Sequence, residues 1–283
     1  MGNPDLLVLV VLSLTCALPS RIHAVGGQVF AWGSTSSGEC NVPNGLANAI
    51  CTSAGGYSSI AITADGNVTA WGDDGFGLLD FPPEATNIIA ISGRGYSCLA
   101  LRADGSLVAW GTTSDPIPDF ATIIVAIAEG AGHHLALRDD GTLIAWGANN
   151  WGQCDIPPEA TNIVAIGAGL THSIALLQNG SLLAWGQDQS GDTEIPTDAT
   201  NVVAISAGDT STLALMSNGQ WLALGVDAPP ASVTNAVSFS AEAFGGFVIQ
   251  SDGSVVSWDQ SANFPPALIP CGFISLHFSP IDF

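Results

Sequence analysis

The tripeptide Ala-Trp-Gly recurs along the chain at nearly constant spacing, and this repeat constrains the fold more than any other feature. Five intact copies are followed by a degraded copy and a final Ser-Trp-Asp. The seven positions are Trp32, Trp71, Trp110, Trp146, Trp185, Leu224 and Trp258, separated by 39, 39, 36, 39, 39 and 34 residues. A period of this length predicts an array of small structural units.

A glycine lies five residues before each of these positions, and six of the seven glycines follow Asp or Asn, as in Asp65-Gly66 and Asn179-Gly180. Asx-Gly dipeptides between strand-like runs are typical of tight β-hairpin turns. The final strand of every unit is therefore predicted to follow a hairpin.

The copy at 145–186 shows the internal plan of one unit. Strand-like runs occupy 162–168, 172–177 and 181–185, and a weaker fourth run at 154–156 precedes a proline pair that cannot continue a ladder. Almost nothing in the chain has the pattern of a long helix. Four antiparallel strands per unit, repeated around an axis, predict an all-β fold built as a β-propeller.

The number of blades follows from how the array closes. Six complete steps of about 38 residues leave a short segment at each chain end, together less than one more repeat. We predict seven blades, with the last one closed by both chain ends: residues 27–32 from the front and 273–278 from the tail. Such a blade removes the open edges of a linear array.

The first 24 residues lie outside the repeat. Residues 6–18 are an apolar run that is too short to span a bilayer and that ends before Pro19. This pattern predicts a secretory signal peptide at 1–24, cleaved after Ala24, and a single propeller domain at 25–283. We expect a secreted or cell-surface protein with no membrane span in the mature chain.

Charge narrows the choice of partner. The chain has 4 basic residues against 25 acidic ones and a net charge of −21. Such a surface repels the phosphates of nucleic acids and anionic membranes. A cationic or neutral partner remains, although solubility of an exported protein explains the same composition.

Cysteines offer little covalent bracing. Five would remain after removal of the signal segment, and Cys40 with Cys51 is the one disulfide that we consider. There is no Cys-x-x-Cys motif, so we expect no zinc site.

The combined pattern resembles the regulator-of-chromosome-condensation repeat. It runs through AWG, a turn with Gly-Gln or Gly-Glu, proline, an NIVAI-type strand, an Ala-Gly turn, an HSIAL-type strand and an Asx-Gly turn. In pattern the chain is most similar to the secreted seven-bladed inhibitors of class A β-lactamases. The resemblance covers nearly all of 25–258. It implies the propeller fold, whereas function resides in the loops.

Counting strand directions puts the Ala-Gly turns and the loops after each AWG on one rim, opposite the Asx-Gly and PPEATN turns. The aromatic and variable residues of that rim suit a protein interface with a few anchors. The resemblance implies that these same two loop types contact an enzyme in the inhibitors. The candidate partner-binding residues are Tyr57, Phe76, Tyr96, His133, Trp151, Leu170, His172 and Asp209.

Structural roles compete with functional ones at several of these positions. His133-His134 could indicate a metal or catalytic site. We interpret His133 as stabilising its turn, because it aligns with His172 and lacks a third ligand. We expect the repeated tryptophans to pack one blade on the next. These structural tryptophans are Trp32, Trp71, Trp110, Trp146, Trp185 and Trp258.

We find no nucleophile elbow, phosphate-binding loop or calcium loop, so no catalytic residue, cofactor or metal is predicted. Carboxylates that converge on the channel stay possible. The leading hypothesis is an exported, non-enzymatic propeller, monomeric, that binds a protein partner. Alternatives are a carbohydrate-binding or hydrolysing propeller, an inhibitor of a secreted enzyme such as a β-lactamase, and, least favoured, a nucleotide exchange factor for a small GTPase. Asn67 and Asn179 lie in glycosylation sequons.

Overall fold

The computed structural model describes most of the repeat region and two short segments near the chain ends. The described residues are 8–10, 27, 29–32, 36–54, 57–112, 115–188, 191–197, 199–225, 228–241, 246–252, 254–258 and 276–278. All regular secondary structure in these ranges is β-strand. They include no helix with the length and apolar character needed to cross a membrane.

Six antiparallel sheets, numbered 1 to 6 in chain order, each contain three consecutive strands. In sheet 1 these are β3 (Ala49–Ala54), β4 (Ser58–Thr63) and β5 (Val68–Gly72). In sheet 2 they are β6 (Ile88–Arg94), β7 (Ser97–Arg102) and β8 (Leu107–Gly111). In sheet 3 they are β9 (Ile124–Glu129), β10 (His133–Arg138) and β11 (Leu143–Gly147).

The second half of the chain follows the same plan. Sheet 4 contains β12 (Ile163–Ala168), β13 (His172–Leu177) and β14 (Leu182–Gly186). Sheet 5 contains β15 (Val202–Ala207), β16 (Thr212–Met216) and β17 (Trp221–Leu224). Sheet 6 contains β18 (Ala236–Ala241), β19 (Gly246–Gln250) and β20 (Val255–Ser257).

The weak fourth strand expected at 154–156 does not form. Its backbone makes local turns instead: Asp155 N donates to Gly152 O at 3.0 Å and Ile156 N donates to Cys154 O at 3.0 Å. These bonds use the groups that a ladder would need, and Pro157 then ends any extended run. Each of the six described sheets therefore has three strands.

The first strands of successive sheets lie next to one another, in the order β3, β6, β9, β12, β15, β18. Each carries a β-bulge after its first residue, so that its second residue has no partner on the neighbouring strand. Bulges increase the local bend and twist of a strand. The innermost strands of the array thus share one irregularity at the same place.

Backbone hydrogen bonds join neighbouring sheets at the Asx-Gly turns. Ile88 N donates to Gly66 O and Ile163 N donates to Gly141 O, both at 3.2 Å. Gly66 has a φ of +79°, and a Cβ there would lie 2.9 Å from Asn87 Cα. Only glycine combines this conformation with so close an approach, which explains why the Asx-Gly pair recurs at the period of the repeat.

The core lies between the sheets rather than within any one of them. Trp110 of sheet 2 is buried with Ile60 and Ile62 of sheet 1. Trp185 of sheet 4 is likewise buried with Leu135 and Leu137 of sheet 3. Trp71 and Trp146 occupy the corresponding positions at two other joins. A repeated unit cannot bury its apolar faces alone, so stacking of neighbours creates the core.

A further sheet combines both chain ends. Its order is β2 (Phe30–Trp32), β1 (Val8–Val10) and β21 (Leu276–Phe278), with antiparallel pairing throughout. The predicted front and tail strands thus share a sheet, but Val8–Val10 lies between them. These residues belong to the apolar, partly β-branched run that we assign to the signal segment, and such residues favour strands. The rest of residues 1–24, including Ala24, falls outside the described ranges, as does residue 273.

The predicted Cys40–Cys51 disulfide is absent, because no bond joins the two sulfur atoms. Cys51 is buried in the cluster between sheets 1 and 2, whereas Cys40 packs against the cluster around Trp71 and Val29. The two side chains therefore lie in different layers. Burial raises the pKa of each thiol to about 11.

Candidate functional site

The turns between first and second strands and the loops after each AWG form one rim, called here the upper rim. Their backbones are bonded together: Asp73 N donates to Tyr57 O at 2.9 Å and Thr112 N donates to Tyr96 O at 3.0 Å. Gln187 N donates to Thr171 O in the same way, at 2.9 Å. The Asx-Gly turns lie at the other ends of the strands, on the lower rim.

Trp151 is the most exposed candidate residue of the upper rim, with 55% of its surface accessible. Its loop is nevertheless tightly braced. Asn149 accepts a hydrogen bond from Cys154 N at 2.9 Å and donates from Nδ2 to Asp155 at 2.8 Å. Trp151 N donates to the buried Gln153 side chain at 2.9 Å. A large apolar side chain is thus held in solvent by a rigid turn.

Phe76 and Tyr96 form a second aromatic feature on this rim. Their rings stack with centroids 3.8 Å apart and an interplanar angle of 26°. Thr112 Oγ1 donates to Phe76 O at 2.9 Å, which fixes the loop that carries the ring. Both aromatic residues are half-buried, as are Tyr57 and Leu170.

His133 and His172 are buried and are not available on the surface of the rim. The Nε2 atom of His133 lies 3.0 Å from Ser173 Oγ in the next sheet, and Nε2 of His172 lies 3.2 Å from Thr212 Oγ1. A Cβ on Gly130 would lie 2.2 Å from His133 Cε1, so the imidazole fills the space under the glycine turn. Because both side chains are fully buried, neither offers a surface to a partner in this structure, and each imidazole joins two sheets.

Asp209 is engaged inside the protein rather than displayed. Its carboxylate forms an ion pair with Arg94, whose side chain is 8% exposed. Arg94 Nη1 also donates to Ala168 O at 2.9 Å. Because Arg94, Ala168 and Asp209 belong to sheets 2, 4 and 5, this guanidinium links sheets that are not neighbours. The sequence did distinguish Arg94 from its equivalents in other repeats. It occupies a position where the turns of sheets 3, 4 and 5 have glycine, namely Gly130, Gly169 and Gly208.

Glu129 is a second buried charge-bearing residue that the sequence analysis did not select. Its side chain is fully buried and contacts Ser97 Oγ. Burial raises the pKa of Glu129 to about 8, although the bond from Ser97 and the nearby Arg94 act in the opposite direction. The carboxyl is therefore mainly protonated at neutral pH. The sequence did distinguish this residue, because it has a carboxylate at a position where sheets 1, 4 and 5 have alanine, namely Ala54, Ala168 and Ala207.

His134 lies between this carboxyl and the rim. Its ring stacks on Trp146 at 5.0 Å, and its two nitrogens lie 3.9 Å from Glu129 Oε1 and Asp115 Oδ2. Burial lowers the pKa of His134. Within the described ranges, no group of three or more His, Cys, Asp or Glu residues is placed to hold a metal ion.

The exposed charge of the upper rim is acidic. Burial raises the pKa of the Cys154 thiol to about 11, with a further contribution from the nearby carboxylates of Asp155 and Asp115, which places both carboxylates near the Trp151 loop. Of the three arginines in the described ranges, Arg94 is buried, and Arg102 and Arg138 end second strands at the lower rim. Other exposed carboxylates in the loops of the upper rim are Asp73, Asp74 and Asp188.

Comparison with known proteins identifies the repeat. The pattern described as the regulator of chromosome condensation (RCC1) repeat matches residues 50–78, 124–153 and 163–192. No curated protein sequence is significantly similar to the chain.

Solved structures extend the likeness to most of the chain. Prp20p from Saccharomyces cerevisiae is 17% identical, with a TM-score of 0.64, over 91% of this chain and 82% of its own. The ectodomain of the Physcomitrella patens receptor kinase CR4 is 21% identical, with a TM-score of 0.70, over 81% of this chain and 66% of its own. The ectodomain of the Arabidopsis thaliana receptor kinase ACR4 is 18% identical, with a TM-score of 0.70, over 84% of this chain and 90% of its own.

At these identities the likeness establishes the fold and leaves the function open. The fold is that of a β-propeller, and the described sheets 1 to 6 are its blades. The chain is therefore an all-β protein that contains RCC1-type repeats at these three places.

Proposed function

We propose that the chain is an exported, non-enzymatic β-propeller that binds a protein partner through its upper rim. The observation that carries this proposal is Trp151, a tryptophan 55% exposed on a loop braced by its own hydrogen bonds. Large aromatic side chains on rigid supports are characteristic binding hot spots, because little conformational entropy is lost when a partner covers them.

The surroundings of Trp151 favour a partner segment that is both apolar and cationic. Asp155 lies next to the loop, and Asp115 approaches it from the preceding blade. A Lys or Arg side chain of the partner would gain a cation–π contact with the indole and an ion pair with a carboxylate. The net charge of −21 would also attract such a partner at long range.

Relatives with this fold support a binding role without specifying a partner. Prp20p has binding properties to Gsp1p and histones, and it has also been crystallised with Kap60. Inhibition of a secreted enzyme, suggested by the resemblance to β-lactamase inhibitors, is one form that protein binding by this rim would take. The hypothesis of a nucleotide exchange factor remains the least favoured, because the proposed export would separate the chain from intracellular GTPases.

Closure into seven blades is part of the same proposal. Gly27 and Ala49 exchange two backbone hydrogen bonds, of 2.9 and 3.1 Å, at the place where the Asx-Gly turns join other blades. Strand β21 contacts both β3 and β18, the first strands of the first and sixth blades. After removal of residues 1–24, β2 and β21 would lose the strand between them, and we propose that they then complete the seventh blade together. The intact mass of the protein from its host's medium tests the cleavage, and a mass that includes residues 1–24 would refute it.

The binding proposal is tested with the immobilised full chain and its Trp151→Ala variant against secreted and surface proteins of the host. A captured protein is then purified, and its affinity is measured directly. We expect Trp151→Ala to weaken binding by tenfold to a hundredfold, as for a hot-spot residue.

Phe120→Ala is the matched control, since Phe120 is also an exposed aromatic residue, at 62%, but precedes a first strand on the lower rim. Both variants should keep the melting temperature of the parent chain. Equal affinity of all three proteins for the partner would place the interface elsewhere. If no protein is captured by a folded chain, a glycan array tests the carbohydrate alternative.

A further inference from the structure

The second residue of every described first strand is a β-branched aliphatic residue, and it lies at the bulge that these strands share. Four of the six side chains are between 42% and 55% exposed, and the other two are half-buried. We call these residues the lower-mouth cluster, and its members are Ile50, Ile89, Val125, Val164, Val203 and Val237. The cluster is a feature that all six described blades share.

The fold places these side chains around the central axis. The first strands lie next to one another in chain order, and sheets 2 to 5 are covered on both faces by neighbouring blades. An exposed side chain of such an innermost strand therefore faces the central channel or a rim. Each first strand begins at the lower rim and ends at the upper rim, so its second residue lies at the lower mouth of the channel.

Strand propensity alone does not account for this choice of residues. Threonine is also β-branched and also favours strands, and its hydroxyl suits an exposed position, yet none of the six residues is threonine. Single exposed apolar residues need no special explanation, whereas six at equivalent positions around one axis form a patch. A patch of this kind marks a surface that a partner covers.

Ile123 extends the patch outwards in blade 3. It is 61% exposed and lies two residues before Val125. Its equivalents in the other five blades are all asparagine, and all adopt a left-handed backbone with φ between 53° and 59°. Ile123 keeps this conformation, with a φ of +60°, although asparagine tolerates it better than any β-branched residue. Backbone strain without burial is a further reason to look for a function here.

Ionised carboxylates surround the lower-mouth cluster. Four of the Asx-Gly turns carry an exposed aspartate, namely Asp65, Asp104, Asp140 and Asp252. A hydrogen bond from a Ser or Thr side chain holds the pKa of each of these carboxyls below its ordinary value, so all four are charged at neutral pH. The turns lie close to the cluster because they bond to the next first strand. Gly105 O, for example, accepts from Ile124 N at 3.1 Å, directly beside Val125.

The two arginines of the lower rim do not balance this charge. Arg102 Nη2 donates to Thr86 Oγ1 at 3.3 Å, and Arg138 Nη2 donates to Phe120 O at 2.8 Å, so both guanidinium groups are bound within their own chain. An acidic protein or an anionic membrane would be repelled, and a cationic partner would be attracted. An apolar centre surrounded by carboxylates matches a basic amphipathic segment, in which lysines or arginines flank an apolar face.

We infer that the lower-mouth cluster is a docking site for a basic amphipathic segment of a protein partner. The apolar face of the segment covers the valines and isoleucines at the mouth of the channel, and its lysines or arginines pair with the turn aspartates. The site lies on the rim opposite Trp151 and does not depend on partner binding there.

The probe is a synthetic peptide of about 18 residues, enough for about five helical turns, with leucines on one face and lysines on the other. Isothermal titration calorimetry measures its binding to the full chain at low and high salt. We expect binding that weakens as salt rises, because salt screens the attraction between lysines and aspartates. A peptide with glutamine in place of lysine, and a peptide with the same residues in scrambled order, should each bind about tenfold more weakly or less.

The test variant is Val203→Thr with Val237→Thr, because threonine keeps the β-branched shape of valine and replaces a methyl group by a hydroxyl. It should weaken binding of the leucine–lysine peptide by about tenfold. Ile89→Thr with Val125→Thr alters the other side of the mouth and should act in the same direction. Trp151→Ala is the control, since it changes the opposite rim and should bind the peptide like the parent. The melting temperature verifies that each variant is folded.

A folded parent chain that does not bind the leucine–lysine peptide would overturn the inference. Equal binding of the scrambled peptide would do the same, as would threonine variants that bind as tightly as the parent. Binding of the parent, but not of the threonine variants, to phosphatidylcholine vesicles in place of the peptide would assign the cluster to a lipid surface and also overturn it. None of these results bears on partner binding by the upper rim.

Discussion

The units of blades 3 and 4 have the same three strands but differ at both ends. In the middle they are nearly interchangeable: Leu135 and Ile174 are both fully buried, and Trp146 and Trp185 both pack against the preceding blade. At the ends, blade 3 has Glu129 and His134 on the upper side and Phe120 and Ile123 below. The comparison teaches that blade packing fixes the middle of each repeat and leaves its ends free to diverge.

The prediction with the largest expected effect tests whether the buried central parts of blades 3 and 4 contribute equally to stability. Trp185→Ala and Trp146→Ala should each reduce the free energy of unfolding by about 3–5 kcal/mol, because both remove a buried indole at a join between blades. Trp185 additionally loses its 2.9 Å bond to Gln153 O, while Trp146 loses its stack on His134. These losses are comparable, each about 1 kcal/mol. Chemical denaturation measures both.

Trp151→Ala provides the control, since an exposed side chain should change stability by less than about 0.5 kcal/mol. A loss near 4 kcal/mol in one framework variant beside a negligible loss in the other would show that the blades are not equivalent.

A second test separates the upper ends of the two blades by pH. Because Glu129 has a pKa of about 8 when folded and an ordinary value of 4.5, the folded chain holds this proton more tightly than the unfolded chain. The free energy of unfolding should therefore fall as pH rises from about 4.5 to about 8, by up to about 1.4 kcal/mol per pH unit.

Below pH 6.5 the buried histidines act with the opposite sign, since burial lowers the pKa of His133 to about 4. The measurement therefore belongs between pH 6.5 and 8, where Glu129→Gln should abolish a fall of about 2 kcal/mol. Glu159→Gln, at an exposed carboxylate of the blade 4 unit, should keep the fall. An unchanged slope in Glu129→Gln would mean that this carboxyl is already ionised in the folded chain.

The smallest expected effect concerns the lower-rim turns of blades 3 and 4, where the sign of the change in stability is informative. Ile123→Asn should stabilise the isolated chain by about 1 kcal/mol, since asparagine accepts the left-handed conformation that isoleucine resists. The reverse exchange in blade 4, Asn162→Ile, should destabilise by a similar amount. Thermal denaturation in dilute solution measures both, and a destabilising Ile123→Asn would show that the isoleucine makes contacts that offset its strain.

Much of the fold could be predicted from the sequence because one physical requirement repeats with the unit. Gly66 and its equivalents adopt a left-handed backbone that favours glycine, and at Gly66 and Gly180 a Cβ would also lie 2.9 Å from the backbone of the next blade. The buried tryptophans fill joins between successive blades. The RCC1-type repeat was therefore identified correctly. The prediction of a fourth strand was wrong, because the amino-acid composition of 154–156 does not show that the backbone of this segment forms hydrogen bonds within local turns.

The site was less predictable, because residues at the same repeat position can turn inwards or outwards. His133 and Trp151 were both selected as rim residues, yet one fills the space beneath a glycine turn and the other is exposed. Arg94 and Glu129 were not predicted, because both depart from the pattern that the repeats share. In an acidic chain with four basic residues, an arginine in a glycine position was the available signal.

Arg94 also affects the order in which the blades are expected to unfold. An array in which each unit touches only its neighbours can lose its units one after another from an end. By binding Ala168 O in blade 4 and Asp209 in blade 5, a side chain of blade 2 ties together units separated by up to 115 residues in sequence. Opening blade 5 would strand a buried guanidinium, so blades 2 to 5 are expected to unfold cooperatively while blades 1 and 6 fray independently.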